Sequence, residues 1–467
     1  MTPASVMLAE PPPVWLSEWA DFAAGFNLAR ADPALDAQAR LVLLDCIGAI
    51  AAGMQEPENL ALARRLSRLP GAGQGRGIAV GAGLRLHGGD AAFLNGTAGT
   101  ALELDEGNSF ARGHPGIHVL PALLSGAGGS ALTGHGFLRA FVLGYEACAR
   151  VGASARLRDG LHPHGTWGVI GAAVAAGAAE GATAAEFAGC FNIAASMGVA
   201  SSLRSMLEGA TVRNAYAGLA ARNGLYAWDL VRAGFAGEID GVRTVYSSVL
   251  ASGFDAAVMT RDLGWQWEIR RNYFKRHAAC RFVHGALDVV AGLIRDHGCP
   301  DPALIAAVEV ESYAMAAQLD APEPVTMLGA KFSVPFAIAT MLVHGEASVA
   351  AFRAPALRDE RIVRLSRLVK VAENPDYTAM LPGKRPARVV IRLVDGRILS
   401  GETLTNRGDA ADPYSPQEVA DKFMALAGPV WGTAGAQRVR NVIERLGDGE
   451  TPDSLCVALS APPVPDR

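Results

Sequence analysis

The chain has 467 residues, half of them hydrophobic and only 19% charged, with a formal net charge of −4. That length asks for two domains and that apolar fraction supplies a large buried interior. The mildly acidic balance gives no footing for nucleic acid or an anionic membrane surface, and six scattered cysteines without a CxxC pair (Cys46, Cys148, Cys190, Cys280, Cys299, Cys456) argue for reduced thiols in a cytoplasmic protein rather than disulfides or a zinc site.

The N-terminal "MTPASVMLAEPPPVWLSEWADF" has no basic stretch and brings Glu10 and three prolines before any long apolar run, so no signal peptide is expected. "DPALDAQARLVLLDCIGAIAAGM" predicts a helix with Asp32 as N-cap and Pro33 at its first position. "GAGQGRG" at 71–77 follows a helix-like segment rather than a strand, which predicts a mobile surface loop instead of a dinucleotide fingerprint. "GIAVGAGLRL" is a short β-like piece, and "AAFLNGTAGTALELDEG" reads as a helix ending in acids. "GHGFLRAFVLGYEACARVGAS" is a further helix. The most membrane-like stretch, at 168–202, is interrupted by Glu180 and Glu186, which predicts two buried helices, the second opened by a Thr183–Glu186 capping box. "NAYAGLAARNGLYAWDLVRAGF" continues the helical pattern.

After about residue 265 the texture changes. "LIAAVEVESYAM" reads as a strand running into a loop, and "ARVVIRLVDGRILSGETL" as a hairpin whose Asp395-Gly396 supplies positive φ angles. Helical "HGALDVVAGLIRDHG" and "KFSVPFAIATMLVHG" lie between these strands, and "SPQEVADKFMALAG" restarts helix with a Ser415–Glu418 capping box. The fold class expected is mainly α: a large all-helical domain over 1–265, a smaller inserted α+β lid domain over 266–410, and a return to the helical domain over 411–467.

Four stretches carry chemistry. "LDEGNSFARGHPG" crowds acids and His114 into one turn; acids after a helix end oppose its dipole, so local stability does not explain them, and a solvated turn and a site stand level. "LHPHGTWGVIGAA" feeds a His-Pro turn into a helix whose free N–H groups can receive a carboxylate, with Thr166 as an ordinary cap being the plainer account. His162 and His164 point to opposite sides of an extended chain, so no metal site is expected. "EGATVRNAYAGLAARNG" offers Arg213, either an ion-pair partner or a ligand. "NYFKRHAACRFVHG" clusters Lys275, Arg276, His277, Arg281 and His284 among Tyr273, Phe274 and Phe282, which argues for partial burial of a charge run. This cationic set in an acidic protein suits a small polycarboxylate.

On "AAFLNGTAGTALELDEG…GHPGIHVLPALL", "LHPHGTWGVIGAA", "RNAYAGLAARNG", "NYFKRHAACRFVH" and "AKFSVPFAIA", in that order, the sequence resembles the MmgE/PrpD family of 2-methylcitrate dehydratases, cis-aconitate decarboxylases and iminodisuccinate epimerases. The resemblance implies a homodimer with its active site between a helical domain and an α+β lid, no cofactor, and a 2-methylcitrate dehydratase-like lyase working by proton transfer at the carbon beside a carboxylate, with an epimerase or a decarboxylase on a related polycarboxylate as alternatives. It implies catalytic roles for His114, Asp105, His162, Lys275 and Tyr313, the last a looser placement. It implies substrate binding by Arg213, Glu103, His164, Thr166, Tyr216 and Arg281. Departures are Arg213 where many members have lysine, Tyr216 for a histidine, His164 for a threonine and Gly107 for a small polar residue. The expected work of Arg213, Lys275 and the N–H groups after His162 is to hold substrate carboxylates, an arginine doing so bidentately. A non-catalytic dicarboxylate-binding protein on the same scaffold is the rival from another class.

Overall fold

The structure is a computed structural model and describes residues 11–128 and 131–465. The first ten residues, on which the expectation about a signal peptide rests in part, lie outside the described residues.

The protein is mainly α. Helices α1 (Val14–Gly25), α2 (Pro33–Met54), α3 (Gly88–Thr100), α4 (Pro115–Ala127), α5 (Gly134–Ser154), α6 (Gly168–Ala179), α7 (Ala184–Ala195) and α8 (Ala215–Arg232) pack into one body. Its core runs from Trp19 and Ile47 through Phe141, Ile170 and Phe191. Local signals set the helix starts: Asp32 accepts the Ala34 N–H, and Thr183 with Glu186 forms a reciprocal capping box. Small residues let the helices touch backbone to backbone. A Cβ on Gly218 of α8 would lie 2.0 Å from the Phe93 carbonyl oxygen of α3, and one on Gly96 would lie 2.7 Å from Gly218 Cα. Helix α2 is long and apolar enough to cross a membrane by length and composition, yet 72% of its most apolar window is buried inside the protein. The stretch at 168–202 is two short helices, α6 and α7, as its glutamates predict.

A second cluster of buried residues holds Val283, Leu287, Val308, Phe336, Ile338, Val389 and Ile391. Its four-stranded sheet has β1 (Ile305–Ser312), β2 (Val369–Glu373), β3 (Ala387–Leu393) and β4 (Ile398–Thr403) in the order β4-β3-β1-β2. β1 is parallel to β2 and antiparallel to β3, and β3–β4 is the hairpin. Only Gly396 of its turn has positive φ (88°), because a four-residue connection, 394–397, needs one left-handed position where a two-residue turn needs two. Helices α9 (Arg281–His297) and α10 (Val334–His344) belong to the same cluster. The helix expected over 331–345 starts only at Val334: Lys331 closes a short helix, Met327–Lys331, Ser333 accepts the Phe336 N–H and Pro335 sits in the first turn of α10. Helix α11 (Pro416–Glu444), opened by the Ser415–Glu418 box, packs on α2, so Phe423, Val430 and Val439 complete the first core.

The glycine-rich 71–77 is a 3-10 turn running into a two-strand ribbon, Gly77–Ala79 with Leu84–Leu86. Another ribbon matters more. Gly107 pairs with Tyr273 and Asn108 with Asn272, which ties the acidic turn to the lysine-bearing segment more than 160 residues away.

Candidate active site

The acidic turn begins where α3 ends. Ala101 closes the helix and Glu103 takes a left-handed backbone (φ 57°), which throws Glu103, Asp105 and Glu106 inward. All three are buried. Glu106 accepts hydrogen bonds from the Gly116 N–H (2.7 Å) at the start of α4 and from the Tyr145 hydroxyl (2.9 Å). Burial pushes its carboxyl up to about 8 against those bonds.

His114 caps α4 with Pro115 behind it, and its ring is held from one side. Nδ1 donates to the Glu106 carbonyl (2.6 Å) and lies 3.0 Å from Asp105 Oδ2. That arrangement leaves Nε2 as the basic nitrogen, on the wall of a cavity of about 90 Å³. Burial works against the Asp105 charge, but His114, Lys275 and Arg213 outweigh it and hold the carboxyl well below the usual range.

The cations are less free than expected. Lys275 Nζ sits 3.3 Å from Asp105 Oδ1 and 3.4 Å from Glu103 Oε2, and Arg213, in the turn before α8, pairs with the other Glu103 oxygen. Burial disfavours the Lys275 charge, and Asp105 and Glu103 more than restore it, so its pKa is raised. Arg213, Glu103, Lys275, Asp105 and His114 therefore form one unbroken chain of contacts. Arg213 and His114 line the small cavity, whereas Lys275 lies behind the carboxylates and opens on a neighbouring cavity of about 500 Å³ beside Tyr414 and Lys422. Both cations expected to meet substrate carboxylates meet protein carboxylates first, because Glu103 and Asp105 turn inward between them.

His162 and His164 face the same cavity. The His162 ring accepts the His164 N–H at Nδ1 (3.1 Å) and lies 3.4 Å from Arg213 Nε at Nε2; a neutral ring has one acceptor, so the two compete. His164 stands edge-on to His114, His118 and His162 with ring centroids 4.6–5.1 Å apart, and its buried Nδ1 has no partner among the described residues. Burial, reinforced by Arg213, holds His162 and His164 well below the ordinary histidine value; burial brings His118 down to about 4. Two amides of the turn after His162 are already taken: the His164 N–H goes to His162 and the Thr166 N–H to the Pro163 carbonyl.

Besides Asp105 and Lys275, three expected residues stand back from the cavity wall. The Thr166 hydroxyl donates to the Pro163 carbonyl (2.6 Å), and Trp167, not Thr166, precedes α6. Tyr216 lies against His162 with its hydroxyl on Ser205 (3.3 Å). Tyr313 packs on Phe282, Ala316 and Tyr377, and its buried hydroxyl has no partner among the described residues. Arg281 is on the wall, bound to Asp409 (2.6 Å) and stacked over Tyr273 at 4.4 Å.

Sequence reasoning missed Tyr273 as a wall residue and Arg385 altogether. A Cβ on Gly107 would lie 2.4 Å from Tyr273 Oη, so the departure to glycine makes room for this phenol across the ribbon. Burial pushes the Tyr273 hydroxyl up to about 12, and it has no hydrogen-bond partner among the described residues. Arg385 comes from the approach to β3, and only its sequence neighbour Lys384 hinted at charge there. Among the described residues no group of three or more histidine, cysteine or acidic side chains has an arrangement that could hold a metal ion.

The MmgE/PrpD N-terminal domain matches residues 17–252 and the MmgE/PrpD C-terminal domain matches residues 277–448. Among curated relatives, the cis-aconitate decarboxylase-like protein oryM of Aspergillus oryzae is 25% identical over 79% of this chain and 82% of its own. The cis-aconitate decarboxylase of Aspergillus terreus is 24% identical over 90% of this chain and 92% of its own, and that of Homo sapiens is 23% identical over 80% of each. With both family domains present along most of its length, the chain belongs to the MmgE/PrpD family.

Proposed function

We propose that the protein is a cofactor-independent lyase that acts on a small di- or tricarboxylate by moving a proton at the carbon beside a carboxylate. The observation that carries this reading is the His114 ring. Its Nδ1 is fixed by the Glu106 carbonyl and Asp105, which leaves the other nitrogen free for chemistry in the cation-lined cavity that the ring borders. A positioned acid or base of this kind contributes roughly 10²–10⁴-fold to a rate. As a base, Nε2 takes the C–H proton while a hydroxide leaves; as an imidazolium, it returns a proton to the carbon that keeps the electron pair when CO₂ departs. Asp105 stabilises the imidazolium in either direction. Arg213 and Lys275 keep the Asp105 and Glu103 pair of charges in place behind it, and Arg213 also reaches the cavity, where it offsets charge developing on an enolate-like intermediate. His162 or the Tyr273 hydroxyl serves the second proton.

The names of the relatives favour CO₂ loss over dehydration for this site, and epimerisation uses the same groups. A homodimer in the cytoplasm completes the reading. The test is a panel of di- and tricarboxylates incubated with the protein in deuterated water and followed by proton NMR. New vinylic or decarboxylated products, or deuterium at the acidic carbon, are expected, and His114→Gln abolishes them while the variant stays folded. Silence across the panel supports the binding-protein alternative, and normal turnover by His114→Gln removes this residue from the mechanism.

A further inference from the structure

Among the described residues, Arg385 is the buried cation on the cavity wall with neither an ion pair nor a hydrogen bond; Lys331, beside the wall residue Phe332, has no carboxylate either but donates to the Ala101 carbonyl. Arg213 is paired with Glu103, Lys275 with Glu103 and Asp105, and Arg281 with Asp409. Arg385 is 5% exposed and lines the same cavity, yet among the described residues its guanidinium has neither an ion pair nor a hydrogen bond, and its Nε is buried without a partner. Two aromatic faces flank it, Phe282 at 5.5 Å and Tyr273 at 5.8 Å. Those rings leave few directions for solvent. A guanidinium with its Nε buried and unpartnered is costly to keep unless an anion completes it, and its planar fork is shaped for one carboxylate.

We infer that Arg385 is the carboxylate anchor of the site: its guanidinium receives a substrate carboxylate directly, and the already paired Arg213 and Lys275 do not. This rests on the reading that the cavity takes a polycarboxylate, and it names the group that selects it. Arg385 enters from the β3 side of the sheet-bearing unit, while His114 enters from the helical body. A carboxylate held by Arg385 therefore has its neighbouring carbon inside a space of about 90 Å³ that His114 also borders. Arg112, on the rim of the same cavity, also lacks a carboxylate partner among the described residues but is exposed, which suits a second carboxylate nearer solvent.

The experiment is isothermal titration of tricarballylate, a saturated tricarboxylate, into the full-length protein and into Arg385→Gln, Arg385→Lys and Arg385→Met, with thermal unfolding of each in parallel. The expected result is binding by the wild type, weakened at least tenfold in Arg385→Gln and partly recovered in Arg385→Lys. Without ligand, Arg385→Met unfolds at or above the wild-type temperature, since a largely buried unpaired cation is gone, and tricarballylate no longer raises that temperature. A merely structural arginine gives the opposite: Arg385→Met unfolds earlier and ligand still raises its midpoint. Arg385→Gln binding within twofold of wild type overturns the inference, as does failure of all three variants to fold. Wild-type exchange of the substrate proton with Arg385-independent binding sinks the anchor alone. Arg385-dependent binding without any exchange sinks the proton-transfer reading alone.

Discussion

Replacing Asp105 by Asn is the sharpest probe of the proposed acid–base pair. The substitution keeps shape and removes one charge that lies 3.0 Å from His114 Nδ1 and 3.3 Å from Lys275 Nζ. Two unit charges at that first distance interact by about 5 kcal/mol at an effective dielectric of about 20. The imidazolium is only partly formed at the transition state, so about half of that, 2–3 kcal/mol, reaches the barrier, which is a fall of about 10²-fold in rate. The ring tautomer does not change, because the Glu106 carbonyl still accepts the Nδ1 proton at 2.6 Å. That is the physical reason to expect a smaller loss than the roughly 10⁴-fold seen when a triad carboxylate alone fixes the tautomer. The assay is solvent deuterium incorporation into the substrate, with circular dichroism to verify the fold. A rate within threefold of wild type refutes the counter-charge role; a loss of about 10⁴-fold or more refutes the claim that Glu106 holds the ring.

Glu103→Gln leaves Arg213 without its carboxylate and Lys275 with one of two, so urea unfolding at neutral pH should show a loss of about 3–5 kcal/mol, the usual penalty for orphaning a buried charge; a loss below about 1 kcal/mol would mean that water reaches the pair. Glu106 titrates at about 8 when folded against an ordinary 4.5, so its contribution is fully present below about 4.5 and is lost as pH rises through about 8. Calorimetric midpoints from pH 5.5 to 8.5 should accordingly fall more steeply in the wild type than in Glu106→Gln, and parallel curves contradict the assignment.

Much of the local structure is legible in short stretches of residues. Asp32, Thr183–Glu186 and Ser415–Glu418 mark helix starts through bonds made within three residues, so nothing distant is needed to read them. The helix break before Pro335 and the single left-handed residue in the 394–397 turn are local too, but they depend on which of several allowed geometries the packing selects. The residue types of the site were likewise visible, and the fold does bring Glu103, Asp105, His114, His162, Arg213 and Lys275 into one connected cluster.

What the linear order could not decide is which charge meets which. Asp105 and Lys275 are 170 residues apart, and their pairing follows from a two-residue ribbon and a left-handed turn at Glu103. Coulomb energy depends on through-space distance and on the water left around each group, neither of which spacing along a chain encodes. For that reason Arg213 and Lys275, conspicuous in their motifs, turn out neutralised by neighbours. Arg385, conspicuous in none, is the buried cation on the cavity wall without a partner among the described residues.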